Sequence, residues 1–275
     1  MNTQIAPVSA IIPCYRCAGT IDRAAGSVAR QTLKPAELIL VDDQSGDSTW
    51  NALERISASH PPGWIKLIAR DRNGGPSAAR NTGWQAATQP YIAFLDADDA
   101  WHPSKIDLQY RYMRDNPDLV LCGHRSRRVR NPEHERIEIS SPASTDIGAT
   151  ALLLGNRFVT PSVMLKGSLP FRFAEDRRHM EDHLLWLQIA CAGHRITRLD
   201  AELKFLYKAP FGETGLSSEL WRMETAELDN YRRLFRAGAL GAPATLALWG
   251  WSLAKFARRL AYAAIPALRE RLEPR

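Results

Sequence analysis

Cysteine is scarce in this chain, which has only four among its 275 residues. Cys14, Cys17, Cys122 and Cys191 are too few and too widely spaced for the disulfide framework of a secreted domain, and they suit a reducing compartment. The amino terminus also lacks the basic and apolar segments of a secretory signal. We therefore expect synthesis and folding in the cytoplasm.

The pair Cys14 and Cys17 nevertheless has the C-x-x-C spacing that is typical of thioredoxin-like redox sites. A zinc site would need a second pair of ligands at a suitable spacing, and Cys122 and Cys191 each stand alone. We interpret all four cysteines as packing residues, with redox chemistry at the first pair as the alternative.

Basic residues outnumber acidic residues, but the sequence has no long basic block. The formal net charge is +6 and the pI is near 9.3, which suits nucleic acid, an anionic membrane or a phosphorylated substrate. The nearest approach to a cluster is Arg125, Arg127, Arg128 and Arg130, which lacks the interleaved aromatic residues of a strand-binding groove. We therefore expect no nucleic-acid partner.

The first half of the chain alternates buried strands with helices. This pattern predicts an α/β fold with a mostly parallel central sheet flanked by helices. Apolar, β-branched runs indicate the strands, and polar or glycine-rich turns separate them from the helices. The predicted strands cover residues 8–12, 38–41, 65–68, 91–95 and 119–122.

The alternation weakens in the second half of the chain. Residues 131–145 are rich in proline and serine and predict a loop. After this loop we predict a strand over 158–165, a helix over 182–190, and strands near Ile196 and Phe205.

Two of the predicted strands end in acidic clusters. Asp42 and Asp43 follow the second strand, and Asp96, Asp98 and Asp99 follow the fourth. Ligands of open α/β sheets bind at the carboxyl ends of strands, where carboxylates repel one another unless a cation or hydrogen-bond donors compensate. Oxygen ligands suit Mg²⁺ or Mn²⁺, so a divalent ion bridging to a diphosphate is one interpretation. The alternative is an acidic turn whose carboxylates cap the next helix.

Three segments, found in order, carry the most specific signal in the sequence. They are VSAIIPCYRCAGTIDRAAGSVARQT, LILVDDQSGDST and NGGPSAARNTGWQAATQPYIAFLDADDAWHPSKID, with a fainter motif, MEDHLLWLQIA, at residues 180–190. This series, which covers about residues 7–110, resembles the family 2 glycosyltransferases of the GT-A fold. The resemblance implies an inverting transfer of a sugar from a nucleoside diphosphate, with Mn²⁺ or Mg²⁺ as cofactor.

The resemblance also implies a donor-binding site. Pro13 and Tyr15 would line the nucleoside pocket, with the Tyr15 ring as a stacking face. Asp43 would accept a hydrogen bond from the base, most often uracil. Arg80 would either hold the donor or brace Asp96, and both interpretations remain open.

The metal site and the general base follow from the same resemblance. Asp96 and Asp98 match the DxD motif of the family, Asp98 as the direct metal ligand and Asp96 nearer the ribose or a bound water. Asp99 would lie close to the transferring sugar. Asp182 matches the base that removes the proton of the acceptor hydroxyl. The alternative for Glu181 and Asp182 is helix capping.

Residues 207–218 depart from the family pattern. Many relatives carry a histidine there that completes the metal site, and this segment contains none. The third protein ligand is therefore open, with water, the diphosphate or Glu213 as candidates.

The carboxyl-terminal segment predicts a basic amphipathic helix. Its apolar residues recur at three- and four-residue steps, and its basic residues fall on the opposite side. Either packing on the catalytic domain or peripheral contact of residues 244–272 with an anionic membrane accounts for this pattern. The apolar residues are Leu246, Trp249, Leu253, Phe256 and Leu260, and the others are Lys255, Arg258, Arg259 and Tyr262.

The sequence thus predicts a GT-A domain over residues 1–218 and a helical extension over 219–275. Residues 1–118 would bind the nucleotide-sugar, and residues 119–218 would bind the acceptor. We expect a UDP-sugar donor and a saccharide or lipid-linked saccharide acceptor, used in surface polysaccharide biosynthesis in the cytoplasm or at the inner face of the plasma membrane. The alternatives are a non-catalytic nucleotide-sugar-binding subunit and a nucleotidyltransferase, although the glycine-rich basic loop of the latter is missing after the first strand.

Overall fold

A single β-sheet runs through the part of the chain that the structure describes. The computed structural model describes residues 5–128, 142–206 and 219–264. The strands are β1 Ile5–Cys14, β2 Lys34–Asp42, β3 Ile65–Ala69, β4 Tyr91–Phe94, β5 Ala100–Trp101, β6 Leu119–Arg128, β7 Ser144–Asp146, β8 Met164–Lys166 and β9 Arg195–Leu206. Predicted features at Arg130, most of the loop 131–145, residues 207–218 with Glu213, and the distal part of 244–272 lie outside the described residues.

The sheet is mixed, with most strands pointing one way. Its order is β3-β2-β1-β4-β8-β6-β9-β5, with β7 beside β9. β1 pairs in parallel with β2 and β4, and β2 with β3. β8 runs antiparallel between β4 and β6, whereas β6 and β9 are parallel. β5 and β7 are antiparallel to β9. Six of the nine described strands share one direction, and the predicted α/β sheet flanked by helices is confirmed.

Helices pack on both faces of this sheet. Side chains of β1 alternate between two hydrophobic cores: Ile12 lies in one with Ile21 and Leu53, and Ile11 lies in the other with Ala79. A strand that is buried on both faces needs a continuous apolar run, which is why residues 8–12 carry no charge. The helices are α1 Ile21–Ala29, α2 Thr49–Ala58, α3 Gly75–Ala86, α4 Lys105–Asp115, α5 Ala149–Leu153, α6 Glu181–Cys191, α7 Leu220–Arg236 and α8 Ala242–Ala264.

Two predictions for the second half need correction. The predicted strand over 158–165 is a 3₁₀ turn, Thr160–Ser162, followed by the short strand β8. Pro161 explains the turn, because its fixed φ and missing N–H are incompatible with a central strand. The two strands predicted near Ile196 and Phe205 are one continuous strand, β9.

The described part of the carboxyl-terminal extension, residues 219–264, contains two helices. α7 ends before Gly238, whose positive φ of 74° terminates it, and α8 packs against α7. The predicted apolar stripe is divided: Phe256 faces α7, whereas Leu246 and Leu253 are exposed. Among the described helices, we find none that combines the length and the apolarity needed to cross a membrane.

Candidate functional site

The polar residues predicted for donor binding lie where three parallel strands end. β1, β2 and β4 pair in register, so their carboxyl ends reach one edge of the sheet. Pro13 and Tyr15 lie at the end of β1, Asp43 directly after β2, and Asp96 two residues after β4. Open α/β sheets bind ligands at this edge. The predicted donor residues from separate segments are thus brought together.

Asp43 is buried and held by backbone and side-chain donors. Its carboxylate accepts hydrogen bonds from the N–H groups of Gly74, at 3.0 and 3.2 Å, and Gly75, at 2.7 Å, and forms an ion pair with Arg70. Gly75 has a φ of +80°, a conformation that glycine adopts without strain. Asp43 therefore anchors the start of α3 at this edge of the sheet. No motif in the sequence marks Arg70 as a partner of Asp43.

Tyr15 presents an exposed ring beside the strand edge. The Arg16 guanidinium lies 5.3 Å from the centre of this ring. Arg16 has a φ of +48°, and its N–H donates to the Ser45 hydroxyl at 3.1 Å, while its Nε donates to the Ser45 carbonyl at 3.4 Å. The Ser45 hydroxyl in turn donates to Asp42. This network fixes the loop that carries Tyr15 and leaves the ring accessible to a flat ligand.

The DxD segment directs its carboxylates to different surroundings. Asp96 is half-buried and pairs with Arg80 at 2.8 Å, and Asp98 is half-buried next to it. Asp99 is buried and pairs with Lys204 of β9 at 2.7 Å. Burial, only partly offset by Lys204, raises the pKa of Asp99 to about 6. The predicted contact of Asp99 with the donor sugar stays a prediction, because its visible partner is Lys204.

The carboxylates at this edge fit a divalent cation only in part. Within the described ranges, no three His, Cys, Asp or Glu side chains are grouped so that they could hold a metal ion. Asp96 and Asp98 are nevertheless two partly accessible carboxylates at one strand end. Mg²⁺ characteristically uses one or two carboxylates together with substrate phosphates and water. The residues present therefore fit an ion that is bound jointly with a diphosphate.

Arg80 links the edge of the sheet where β1, β2 and β4 end, here called the donor edge, to the first turn of α6. Its buried guanidinium donates to Asp96 through Nη2 at 2.8 Å and to Glu181 through Nη1 at 3.1 Å. The Phe173 ring lies 5.4 Å away. Burial alone would lower the pKa of Arg80, but Asp96 and Glu181 outweigh it and the pKa is raised. Of the two interpretations of Arg80, the structure displays the brace on Asp96 and extends it to Glu181.

Asp182 occupies the first turn of α6 with a half-buried carboxylate. Oδ1 accepts the N–H of His183 at 2.6 Å, and the Asn156 amide donates to both oxygens at 3.4 Å. The Thr160 hydroxyl is 3.5 Å from Oδ2. Burial first, and the neighbouring Glu181 second, raise the pKa of Asp182 to about 7. A carboxylate with a pKa near the working pH is suited to general-base catalysis.

Helix α7 supports the backbone that precedes Asp182. Met180, the residue before α6, has a left-handed φ of 54°, and its carbonyl accepts a hydrogen bond from the Asn230 amide at 3.2 Å. Asn230 is fully buried and also accepts a hydrogen bond from Arg177, which pairs with Asp229. This support could not be predicted from the sequence, because no sequence pattern connects Met180 with Asn230, 50 positions later.

The two histidines near Asp182 have partners away from its carboxylate. The ring of His183 is buried, and its Nε2 lies 2.8 Å from the Leu152 carbonyl. His179 lies 3.4 Å from Glu219. All four cysteines are free thiols, and Cys14 and Cys17 are both buried.

Comparisons with known proteins identify the family of this chain. A family model described as "Glycosyl transferase family 2" matches residues 9–169. The chain is 32% identical over 187 residues to the Escherichia coli protein WfgD, named as a UDP-Glc:alpha-D-GlcNAc-diphosphoundecaprenol beta-1,3-glucosyltransferase, and the match covers 66% of this chain and 69% of WfgD.

Solved structures share the fold. S. aureus TarS 1-349 in complex with UDP-GlcNAc has a TM-score of 0.68 at 18% identity, covering 90% of this chain and 71% of that one. The Pyrobaculum calidifontis mannosyltransferase PcManGT, in complex with GDP-Man and Mn²⁺, has a TM-score of 0.64 at 19% identity, covering 96% and 78%. Because the family model spans more than half of the chain, this protein is a glycosyltransferase that belongs to glycosyl transferase family 2.

Proposed function

We propose that this glycosyltransferase transfers a hexose, with inversion, from a UDP-sugar to a lipid-linked saccharide diphosphate used in surface polysaccharide biosynthesis. The observation that carries the proposal is the Arg80 bridge, in which one buried guanidinium holds Asp96 at the donor edge and Glu181 beside Asp182. The name of the E. coli relative supports a UDP donor and a lipid-linked acceptor. TarS, crystallised with UDP-GlcNAc, supports a UDP-sugar.

The donor half of the proposed reaction uses the strand edge. The exposed Tyr15 ring would stack on the base, and Asp43, positioned by Gly74 and Gly75, would accept a hydrogen bond from it. Asp96 and Asp98 would hold the Mg²⁺ or Mn²⁺ ion, which supplies positive charge to the departing diphosphate. Arg80 would keep Asp96 oriented for this purpose.

The acceptor half of the reaction depends on Asp182. Its carboxylate takes the proton of the acceptor hydroxyl while the hydroxyl oxygen forms a bond to the anomeric carbon. The bond from that carbon to the diphosphate oxygen breaks on the opposite face, so one displacement inverts the configuration. A positioned base contributes about 100- to 10,000-fold to the rate.

Calorimetric binding tests the donor site. We expect UDP, but neither GDP nor dTDP, to bind the wild type in Mn²⁺, and we expect binding to be lost in chelator and in Asp98→Ala. Absence of nucleotide binding under every condition would contradict the donor site. Asp182→Asn should then lose turnover and keep UDP affinity; a protein that binds UDP but transfers no sugar in either form is the non-catalytic binding subunit instead.

We also propose that the enzyme works in the cytoplasm at the inner face of the plasma membrane. The support is the diphosphoundecaprenol acceptor named for the E. coli relative, whose polyprenyl chain resides in a bilayer. Fractionation of cells that express the full chain, with and without high salt, tests this placement. Recovery in the soluble fraction at all salt concentrations would contradict it.

A further inference from the structure

The exposed side of helix α8 is largely apolar, whereas its inward side mixes polar and apolar residues, with Thr245, Ser252 and Phe256 all buried. Leu246, Leu253 and Leu260 are 64%, 49% and 46% exposed. The exposed residues between them include alanine and glycine, so this side of the helix is apolar over several turns. A helix that packs on a soluble domain normally has a charged or polar exposed side, so the exposed leucines of α8 are unusual.

The buried side of α8 is held by ion pairs. Lys255 pairs with Glu227 of α7, and Arg259 lies 3.6 Å from both Glu224 and Glu227. Ser252 of α8 is fully buried on the same side. These ion pairs, together with the buried Phe256 that packs on Trp221 of α7, hold α8 against α7 and leave the leucines facing outward.

The loop between α5 and the Thr160–Ser162 turn lies beside this apolar side. Leu154 and Val159 are exposed in that loop, and the Leu154 carbonyl accepts hydrogen bonds from Trp251 Nε1 at 3.1 Å and Lys255 Nζ at 3.3 Å. The same loop contains Asn156, which contacts Asp182. We define the outer surface as Leu154, Val159, Leu246, Trp251, Leu253 and Leu260.

The positive charges around the outer surface favour an anionic partner. α8 contains no Asp or Glu, and its Arg258 is exposed, as is Arg157 in the adjoining loop. A second copy of the chain would bring the same cations to the interface with no carboxylate from α8 to match them. Apolar side chains bordered by indole and guanidinium groups instead match the interface of an anionic bilayer.

We propose that the outer surface docks on an anionic lipid membrane and places the Asp182 site at the bilayer surface. The docking follows from α8 itself. Its consequence, that a lipid-linked acceptor reaches Asp182 from the membrane plane, rests on the proposed function. The leucines insert among the acyl chains, Trp251 lies at the headgroup level, and Arg258 and Arg157 face anionic headgroups.

Flotation with lipid vesicles tests the docking. The full-length wild type should float with phosphatidylcholine vesicles that contain phosphatidylglycerol. Leu246→Gln/Leu253→Gln should weaken binding by at least about tenfold, because each side chain loses apolar burial. Arg258→Gln should reduce the dependence on anionic lipid. The matched control is Ile5→Gln, which alters an equally exposed apolar residue at the amino-terminal end of β1. This variant should bind vesicles like the wild type.

The remaining outcomes separate the alternatives. A wild type that does not float, or a double variant that floats equally well, overturns the docking surface. A wild-type dimer in light scattering that the double variant converts to monomer, without vesicle binding by either, assigns the surface to a second copy and also overturns it. Unchanged UDP affinity of the double variant shows that it is folded.

Activity separates the docking from the proposed function. The double variant should keep its rate on a water-soluble GlcNAc-diphosphate acceptor with a short alkyl chain and lose it on the undecaprenol form in vesicles. Vesicle binding with no transfer to either acceptor refutes the proposed function alone. Transfer to both acceptors at wild-type rates by the double variant refutes the docking alone.

Discussion

Replacing Asp182 with asparagine should abolish transfer and, above neutral pH, stabilise the protein. The carboxylate is half-buried next to Glu181, and its pKa is raised to about 7 by burial and by that neighbour. Ionising it in the folded protein therefore costs free energy that ionising it in the unfolded chain does not. Asparagine keeps an oxygen that accepts the His183 N–H and carries no charge.

The sign and size of the effect follow from the two pKa values. Some groups have a higher pKa in the folded protein than in the unfolded chain. The stability that such a group contributes is complete below the unfolded pKa and is lost as the pH rises through the folded pKa. For Asp182 this interval runs from 3.8 to about 7. The full difference corresponds to about 4 kcal/mol, and because Glu181 shares the titration we expect about 2–4 kcal/mol.

Urea unfolding of the wild type and Asp182→Asn at about pH 4.5 and pH 8 measures this effect. The variant should be more stable by about 1 kcal/mol or less at the lower pH, which lies just above the unfolded pKa, and by about 2–4 kcal/mol at the higher pH. Glu181→Gln is the neighbouring control. It should destabilise by about 1.5–3 kcal/mol, because Arg80 loses one of its charged acceptors. An Asp182→Asn difference that does not change with pH would refute the reasoning.

Three further results are expected. Lys204→Met should lower the free energy of unfolding by about 3–5 kcal/mol, because it leaves Asp99 buried without its cation; adding Asp99→Asn should recover much of that loss, and an unchanged urea midpoint in the single variant would contradict the pairing. Asn230→Ala should lower kcat by about 10- to 100-fold with little change in the KM for the donor, since it frees the Met180 carbonyl ahead of the base; partial recovery in Asn230→Gln would separate positioning from misfolding. Transfer should stop in chelator and return with Mn²⁺, whereas undiminished turnover in chelator would rule out a metal at Asp96 and Asp98.

The donor edge was readable from the sequence because its signals are local. Each strand is an uninterrupted apolar run, and each acidic residue follows such a run directly, so topology alone brings Asp43 and Asp96 to one edge. Pro76 at the start of α3 is an equally local signal. The parallel pairing of β1 to β4 therefore needed no knowledge of tertiary contacts, whereas their order in the sheet comes from the structure.

The contacts that complete the site were not readable in this way. Arg70 reaches Asp43 and Lys204 reaches Asp99 across 27 and 105 positions, and neither belongs to a periodic pattern. The pattern of α8 was misleading for a physical reason. Helical spacing placed Leu253 and Phe256 in one stripe, but Phe256 is buried, Lys255 beside it pairs with Glu227, and Leu253 is left exposed.

Helix α7 joins the two conclusions about the carboxyl-terminal extension. On one side, Asn230 donates to the Met180 carbonyl and Tyr231 donates to the Leu153 carbonyl, so α7 touches the backbone on both sides of the Asp182 pocket. On another side, Glu227 holds Lys255 of α8. The backbone ahead of the base and the outer surface are thus both held by the same helix, α7. Docking of α8 on a bilayer would therefore set the height of Asp182 above the membrane, which is the coordinate that matters for an acceptor hydroxyl on a lipid-anchored saccharide.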